Sequence, residues 1–352
     1  MAVLSAVTSR SVAAIYEQLQ ARLGWFAPAA ELWYQAELAA QILELKAARN
    51  AVILGHNYME PALFHTVPDY VGDSLELSRR AAATTCELIV FCGVRFMAET
   101  AHILNPDKTV LIPALPAGCS LAESITAEDV RQLRARYPGV PVVAYINTYA
   151  EVKAEADICC TSGNAVAVVE ALRSDTVIFV PDEYLARNVA QETGRHIIVP
   201  TRRPRPHDTT VDYQMIGWHG RCEVHERFSV ADIHQARQAL PDVVVLAHPE
   251  CAPEVVAAAD FAGSTSAMLR FIERHPTGRF LLLTECAMGD NIAAAYPDRE
   301  LVRMCSIRCR HMNQIRLADT LLALQRTQYV VEVAEPVRSR ARQAIERMLA
   351  IG

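Results

Sequence analysis

Four of the ten cysteines in this 352-residue chain fall in polar turns, where a thiolate can act as a metal ligand. Cys119 lies in PALPAGCSLAES, between a strand pattern and a helix pattern. Cys222 lies in WHGRCEVHERFS, three residues before His225, and Cys305 and Cys309 lie in MCSIRCRHMNQIRL, leading into a long helical pattern. If Cys309 is the third of a set with Cys119 and Cys222, the separations are 103 and 87 residues. Such a tripod suits a cubane iron–sulfur cluster, holding three irons and leaving the fourth open to bind substrate as a Lewis acid. A closed structural zinc site wants four ligands, usually with a C-x2-C pair, and the sequence has no such pair, so zinc is the weaker reading. The other six, Cys86, Cys92, Cys159, Cys160, Cys251 and Cys286, lie in or beside strand patterns and apolar turns, as buried small hydrophobes do.

A second set of reactive side chains stands at the ends of strand patterns: His56-Asn57-Tyr58, Tyr145-Ile146-Asn147 and His248-Pro249-Glu250. Each is followed by an aspartate and, five residues later, by a hydroxyl: Asp69 with Ser74, Asp157 with Ser162, Asp260 with Thr265. VILGHNY with DYVGDSLEL, VVAYINT with ADICCTSGNAV and VVVLAHPE with ADFAGSTSAML thus form an internal repeat. Each hydroxyl sits in a Gly/Ser/Thr-rich turn before a helical pattern. There it can cap the helix, or join free backbone N–H groups in holding an anion. His56, Tyr58, Tyr145, His225, His248 and Glu250 are the side chains of this set that can exchange protons, and Asn147 can fix a carbonyl or carboxylate.

The elements that must position these groups alternate short β-branched runs with alanine-rich helical stretches. The runs are 51–54, 88–92, 109–112, 140–145, 176–180, 196–199, 243–247 and 280–284, and the alternation predicts α/β layers with mainly parallel sheets. Three similar units facing one another about a pseudo-threefold axis would bring their polar strand ends to one central cleft, beyond the carboxyl ends of the strands. The predicted division is a helical extension over 1–50, in which Leu32, Gln35, Leu38, Ile42 and Leu45 recur near helical spacing, followed by three units. The first spans 51–138 with 325–352, the second 139–240 and the third 241–324. The segment PTRRPRPHDTTVD at 200–212 reads as an exposed linker or flap.

With 34 basic against 40 acidic residues and a formal charge of -6, the chain has no general attraction to nucleic acid. It has no uncharged apolar run of about 18 residues to span a membrane. Its opening MAVLSAVTSRSVAAIY lacks the order of a signal peptide, so the expectation is a reducing cytoplasm.

Many of these residues stand in motifs that resemble the quinolinate synthase family, the iron–sulfur enzymes of de novo NAD synthesis. The resemblance runs from about Ala51 to Leu324. It includes GHNY at 55–58, GDSLEL at 72–77, FCGVRFMAETAHILNP at 91–106, AGCSLAES at 117–124 and YINTYAEVKAEADICCTSGNA at 145–165. FVPDEYLARNVA at 179–190, WHGRCEVHERF at 218–228, HPEC at 248–251, AGSTSAM at 262–268, TECAMGDN at 284–291 and CRHMNQIRL at 309–317 complete it.

The resemblance implies three α/β/α sandwich domains around a [4Fe–4S] cluster with three cysteine ligands and one open iron. The ligands fall here on Cys119, Cys222 and Cys309, since a C-x-x-M run before the terminal helix is the family's pattern. Some members carry C-x-x-C-x-x-C there; this chain has C-x3-C followed by Met312, which leaves a regulatory Cys305–Cys309 disulfide and the role of Cys305 open. The 200–212 linker also exceeds what compact members have. The implied reaction, a transferase-type condensation, joins iminoaspartate to dihydroxyacetone phosphate and forms quinolinate with loss of phosphate and two waters. An aspartate oxidase or dehydrogenase would supply the iminoaspartate, and the assembly would be a monomer or homodimer.

The implied binding groups are His56, Ser74, Tyr145, Asn147, Ser162, His248, Glu250, Ser264 and Thr265. Glu250 and His225 would serve acid–base steps, Tyr58 would assist isomerisation or deprotonation, and His56 and Tyr145 would position the intermediate. Three other readings compete. A radical enzyme would need C-x3-C-x2-C, but Met312 occupies the third place. A zinc- or thiol-dependent lyase would hold zinc and no iron. A non-catalytic iron–sulfur or dicarboxylate sensor could dispense with Tyr58, His225 and Glu250, all of which this chain retains.

Overall fold

The apolar runs become the central strands of three separate sheets in the computed structural model, which describes residues 11–198, 214–304 and 306–351. The first sheet contains β1 (Ala51–His56), β2 (Tyr70–Gly72), β3 (Leu88–Cys92) and β4 (Thr109–Leu111). The second contains β5 (Val142–Tyr145), β6 (Ile158–Cys160), β7 (Val177–Val180), β8 (Ile197–Ile198) and β9 (Met215–Ile216). The third contains β10 (Val243–Ala247), β11 (Phe261–Ala262), β12 (Arg279–Leu283) and β13 (Glu300–Arg303). The orders are β2-β1-β3-β4, β6-β5-β7-β9-β8 and β11-β10-β12-β13, and every pairing between these strands is parallel. Parallel strands covered by helices on both faces must be apolar on both faces, which is why AVILGH, LIVFC and VIFV are buried throughout.

Each sheet therefore starts alike, with its first strand between its second and third. The aspartates of the sequence repeat have the same task in all three. Asp69 accepts the Ile53 N–H at 2.8 Å, Asp157 the Val142 N–H at 2.7 Å and Asp260 the Val245 N–H at 2.8 Å. Each also pairs with a cation: Lys46 at 2.8 Å, Arg134 at 2.7 Å and Arg237 at 2.9 Å. Each aspartate thus stands before the second strand and reaches back to the first, to its opening residue in the second sheet and to its third residue in the other two, satisfying a backbone donor there.

The helical extension is a pair of helices, Val12–Leu23 and Ala29–Ala48. The second packs on the first, on β1 and on the helix Leu317–Arg326. Its buried stripe is Leu32, Ala36, Ala39 and Ile42, while Gln35, Leu38 and Leu45 are only half-buried. The two alanines displace the expected stripe because a small side chain lets a neighbouring helix approach closely. The C-terminal stretch divides its contacts. Leu111, the last residue of β4, bridges antiparallel to Val330, whereas the helix Val337–Leu349 packs against β6 and the turn of helix Ala150–Lys153.

The 200–212 linker and Cys305 lie outside the described residues. No described helix is long and apolar enough to cross a membrane. Val142 is fully buried, so removing its side-chain acceptor strands a buried N–H. Asp157→Ala is expected to lower the unfolding free energy by about 1–3 kcal/mol. Asp157→Asn, which keeps an acceptor, should cost less; equal denaturation midpoints for wild type and Asp157→Ala would contradict the role.

Candidate active site

The carboxyl ends of β1, β5 and β10 deliver His56, Tyr145 and, just beyond, Asn147, His248 and Glu250 to one cavity. Tyr58, Ser74, Ser162, His225, Thr265, Cys119, Cys222 and Cys309 line the same cavity. Ser264 is the one predicted site residue that does not. Its hydroxyl accepts the Ala267 N–H at 3.3 Å, capping the helix Thr265–Arg274, and donates to Asp73 Oδ2 at 2.8 Å.

That placement corrects the capping expectation. Asp73, not Ser74, caps the helix Ser74–Ala83 through the Glu76 N–H at 3.0 Å, and Ser264, not Thr265, caps the third repeat's helix. In the second repeat, Asn164 holds the N-cap position before the helix Ala165–Ala171, with no side-chain cap bond. The hydroxyls of Ser74, Ser162 and Thr265 are thereby released from helix capping and face the cavity. Asn57 fixes Thr265 by donating to its Oγ1 at 2.9 Å.

Glu250 is buried, and its carboxylate is nearly saturated with donors. Oε1 accepts the Tyr145 hydroxyl at 2.5 Å and the Asn147 amide at 3.2 Å, and Oε2 accepts His225 Nδ1 at 2.7 Å. Burial alone would push this carboxyl up, but the charge and hydrogen bond of His225, with help from His248 and Tyr145, hold it well below the usual carboxylate range. Burial and the Glu250 charge push the Tyr145 and Tyr58 hydroxyls well above their ordinary value, so both remain protonated donors.

In the neutral ring with Nδ1–H committed to Glu250, His225 Nε2 is an acceptor; in the charged ring it becomes a second donor. Thr284 Oγ1 lies 2.9 Å from it and 2.6 Å from the Tyr58 hydroxyl, which makes one directed chain from Tyr58 through Thr284 and His225 to Glu250. Thr284 was not singled out from the sequence. Its signal was positional, since it is the polar residue at the carboxyl end of a buried strand.

His56 and His248 share one arrangement. Each Nδ1 accepts the backbone N–H two residues on, from Tyr58 at 3.2 Å and from Glu250 at 3.3 Å. Burial lowers His56 to about 4, and burial together with His225 lowers His248 to about 3. Both rings are therefore neutral near pH 7 and carry their proton on Nε2. That of His248 faces Ser162 Oγ at 3.3 Å.

The three cysteines also share one arrangement. Burial pushes all three thiols up, Cys309 to about 11. Against this, backbone N–H groups two and three residues on lie toward each sulfur and favour its thiolate, those of Leu121 and Ala122 for Cys119, Val224 and His225 for Cys222, and His311 and Met312 for Cys309, where the Met312 N–H reaches Sγ at 3.5 Å. Glu285, fully buried, accepts the Cys309 N–H at 3.3 Å. Such N–H cradles suit thiolate ligands, and a thiolate this buried needs a cation beside it.

Among the described residues, the one group of ligand atoms all within 4.8 Å of one another is Cys222, His225 and Glu250. The His225 proton shared between Glu250 and Cys222 Sγ, 3.2 Å away, accounts for that closeness. Cys119, Cys222 and Cys309 are more widely spread than the ~3.8 Å between sulfurs that a tetrahedral Zn–S distance of about 2.3 Å would require. The donor set fits a polynuclear cluster better than a single ion.

The family described as "NadA: Quinolinate synthetase A protein" matches residues 40–350. The chain is 56% identical over 310 residues to "Quinolinate synthase 2" of Mesorhizobium japonicum, covering 88% of this chain and 90% of that protein. It is 54% identical over 323 residues to "Quinolinate synthase" of Xylella fastidiosa, covering 92% and 89%. It is 51% identical over 342 residues to "Quinolinate synthase" of Agrobacterium fabrum, covering 97% and 92%. Identity at this level along nearly the whole length means that the chain belongs to the quinolinate synthetase A family.

Proposed function

We propose that this protein condenses iminoaspartate with dihydroxyacetone phosphate to form quinolinate, with loss of phosphate and two waters, in the biosynthesis of NAD. The observation that carries this reading is the convergence of acid–base groups from three repeats and three cradled cysteines on one cavity. The repeats are read as three α/β/α units, 51–138 with 325–352, 139–240 and 241–324, about a pseudo-threefold axis. Their shared strand order and their three equivalent aspartates support it.

Cys119, Cys222 and Cys309 would hold a [4Fe–4S] cluster, which when bound supplies a Lewis-acidic iron for a substrate oxygen. The chain's own groups supply the rest. Ser74, Ser162 and Thr265, with the Nε2–H groups of His56 and His248, donate hydrogen bonds to the carboxylates and phosphate of two anionic substrates. Neutral imidazoles do this without attracting a solvent counter-ion. Tyr145 and Asn147 orient Glu250, whose ionised carboxylate holds His225 through Nδ1–H, so that His225 Nε2 takes up a proton when a substrate gives its own to the Tyr58 oxygen and Tyr58 and Thr284 each pass theirs on. The three thiols must stay reduced, which fits a cytoplasmic setting. An aspartate oxidase or dehydrogenase is the matching source of iminoaspartate.

Glu250→Gln should keep the visible absorbance of the cluster and lose on the order of 10²–10⁴ in quinolinate formation. Full turnover in that variant would remove Glu250 from the chemistry. Anaerobic iron analysis tests the ligand set: Cys309→Ser should lose the cluster and Cys305→Ser should retain it, and the reverse would reassign the third ligand. Nitrogen-15 NMR should find His56 and His248 as neutral Nε2–H tautomers from pH 5 to 8. A midpoint near 6.5 for either ring would contradict its place as a buried neutral donor.

A further inference from the structure

The residues that immediately follow the cysteines reach from one cysteine turn to the next. Ser120, after Cys119, donates through Oγ to the Arg221 carbonyl at 3.4 Å and accepts the Glu223 N–H at 3.3 Å, so it grips both flanks of Cys222. Glu223, after Cys222, places Oε2 3.1 Å from Arg310 Nε and Oε1 3.5 Å from His311 Nε2, just beyond Cys309. His311 also packs over Gly118, directly before Cys119, closely enough that a side chain there would meet its Nδ1, so the third turn lies against the first without a bond to it. The contacts run from the first turn to the second, from the second to the third, and from the third back to the first.

The links differ in weight. Arg310 is 71% exposed, and an ion pair to so exposed a side chain contributes little. His311 and Glu223, 11% and 28% exposed, face each other at 3.5 Å without a hydrogen bond, so the bonds of Ser120 to backbone groups carry most of the coupling. Three turns from distant parts of the chain would otherwise have to be ordered by the metal itself, at a cost in affinity.

We propose that Ser120, Glu223 and His311 are positioning residues that lock the three cysteine turns into one ring, so that the thiol tripod stands assembled before the cluster binds. The inference rests on the cluster reading for its purpose, but the ring is a property of the protein alone. All three also line the cavity, so the test reads the cysteines and the metal they hold, not turnover.

Two measurements on the full-length chain test it. In reconstituted protein, Ser120→Ala and Glu223→Gln should each release iron to a chelator about 10-fold faster than wild type under anaerobic conditions. Ser120→Thr, which keeps the hydroxyl, should restore the wild-type rate. In metal-free protein, alkylation followed by mass spectrometry should show Cys119, Cys222 and Cys309 reacting faster in the two variants, while the half-buried, distant Cys86 reacts as in wild type and reports the intact fold. Wild-type rates of both iron release and alkylation in the two variants would overturn the ring. If wild type takes up no cluster, the functional reading fails, and the alkylation rates still decide the ring. If one variant alkylates everywhere, Cys86 included, the other decides.

Discussion

A buried carboxylate is the constraint around which this site is organised. Removing Glu250 from water costs several kcal/mol unless donors replace the lost hydration. Here the replacement comes from two stretches of chain: Tyr145 and Asn147 at the end of the second sheet, and His225 in the segment that follows it, meet a glutamate from the third sheet. The requirement that keeps Glu250 ionised also holds the second and third sheets in register. In the neutral ring, committing one nitrogen of His225 to Glu250 leaves the other to accept. That sets the direction of the chain through Thr284 to Tyr58, which stands just beyond β1 of the first sheet.

The repeats explain how such a site arises from ordinary parts. In each sheet an aspartate ties the start of the second strand back to the first, ahead of its last two residues, leaving the carboxyl ends open for side chains that differ: His-Asn-Tyr, Tyr-Ile-Asn and His-Pro-Glu. Stability is placed at the amino ends of the strands and chemistry at the carboxyl ends. The two uses compete little for the same residues, which lets one scaffold carry three unlike sets of functional groups.

Much of this was legible in the sequence, and what was not has a physical reason. The central strands were plain because burial on both faces leaves an unbroken apolar run. The edge strands β2, β6 and β11, two or three residues long, leave too short a trace to recognise, and β9 and β13 went unseen for lack of such a run. The five-residue offset from aspartate to hydroxyl was visible, yet the task of the aspartate was not, since it reaches back 15 or 16 residues to a backbone N–H. Ser264 was read as a ligand because a hydroxyl beside Thr265 looks the same whether it faces a cavity or caps a helix. The cysteines were separable by their polar turns, but the cross-links through Ser120 and Glu223 join residues about a hundred positions apart, which no local pattern records.

The central claim is that the convergent site makes quinolinate with the help of a cysteine-held cluster. Anaerobic reconstitution followed by incubation with iminoaspartate and dihydroxyacetone phosphate tests it most directly. The account predicts about four irons and four sulfides per chain, together with quinolinate formed over many turnovers. An intact cluster that yields no quinolinate, or quinolinate formed at full rate by protein free of iron, would contradict it.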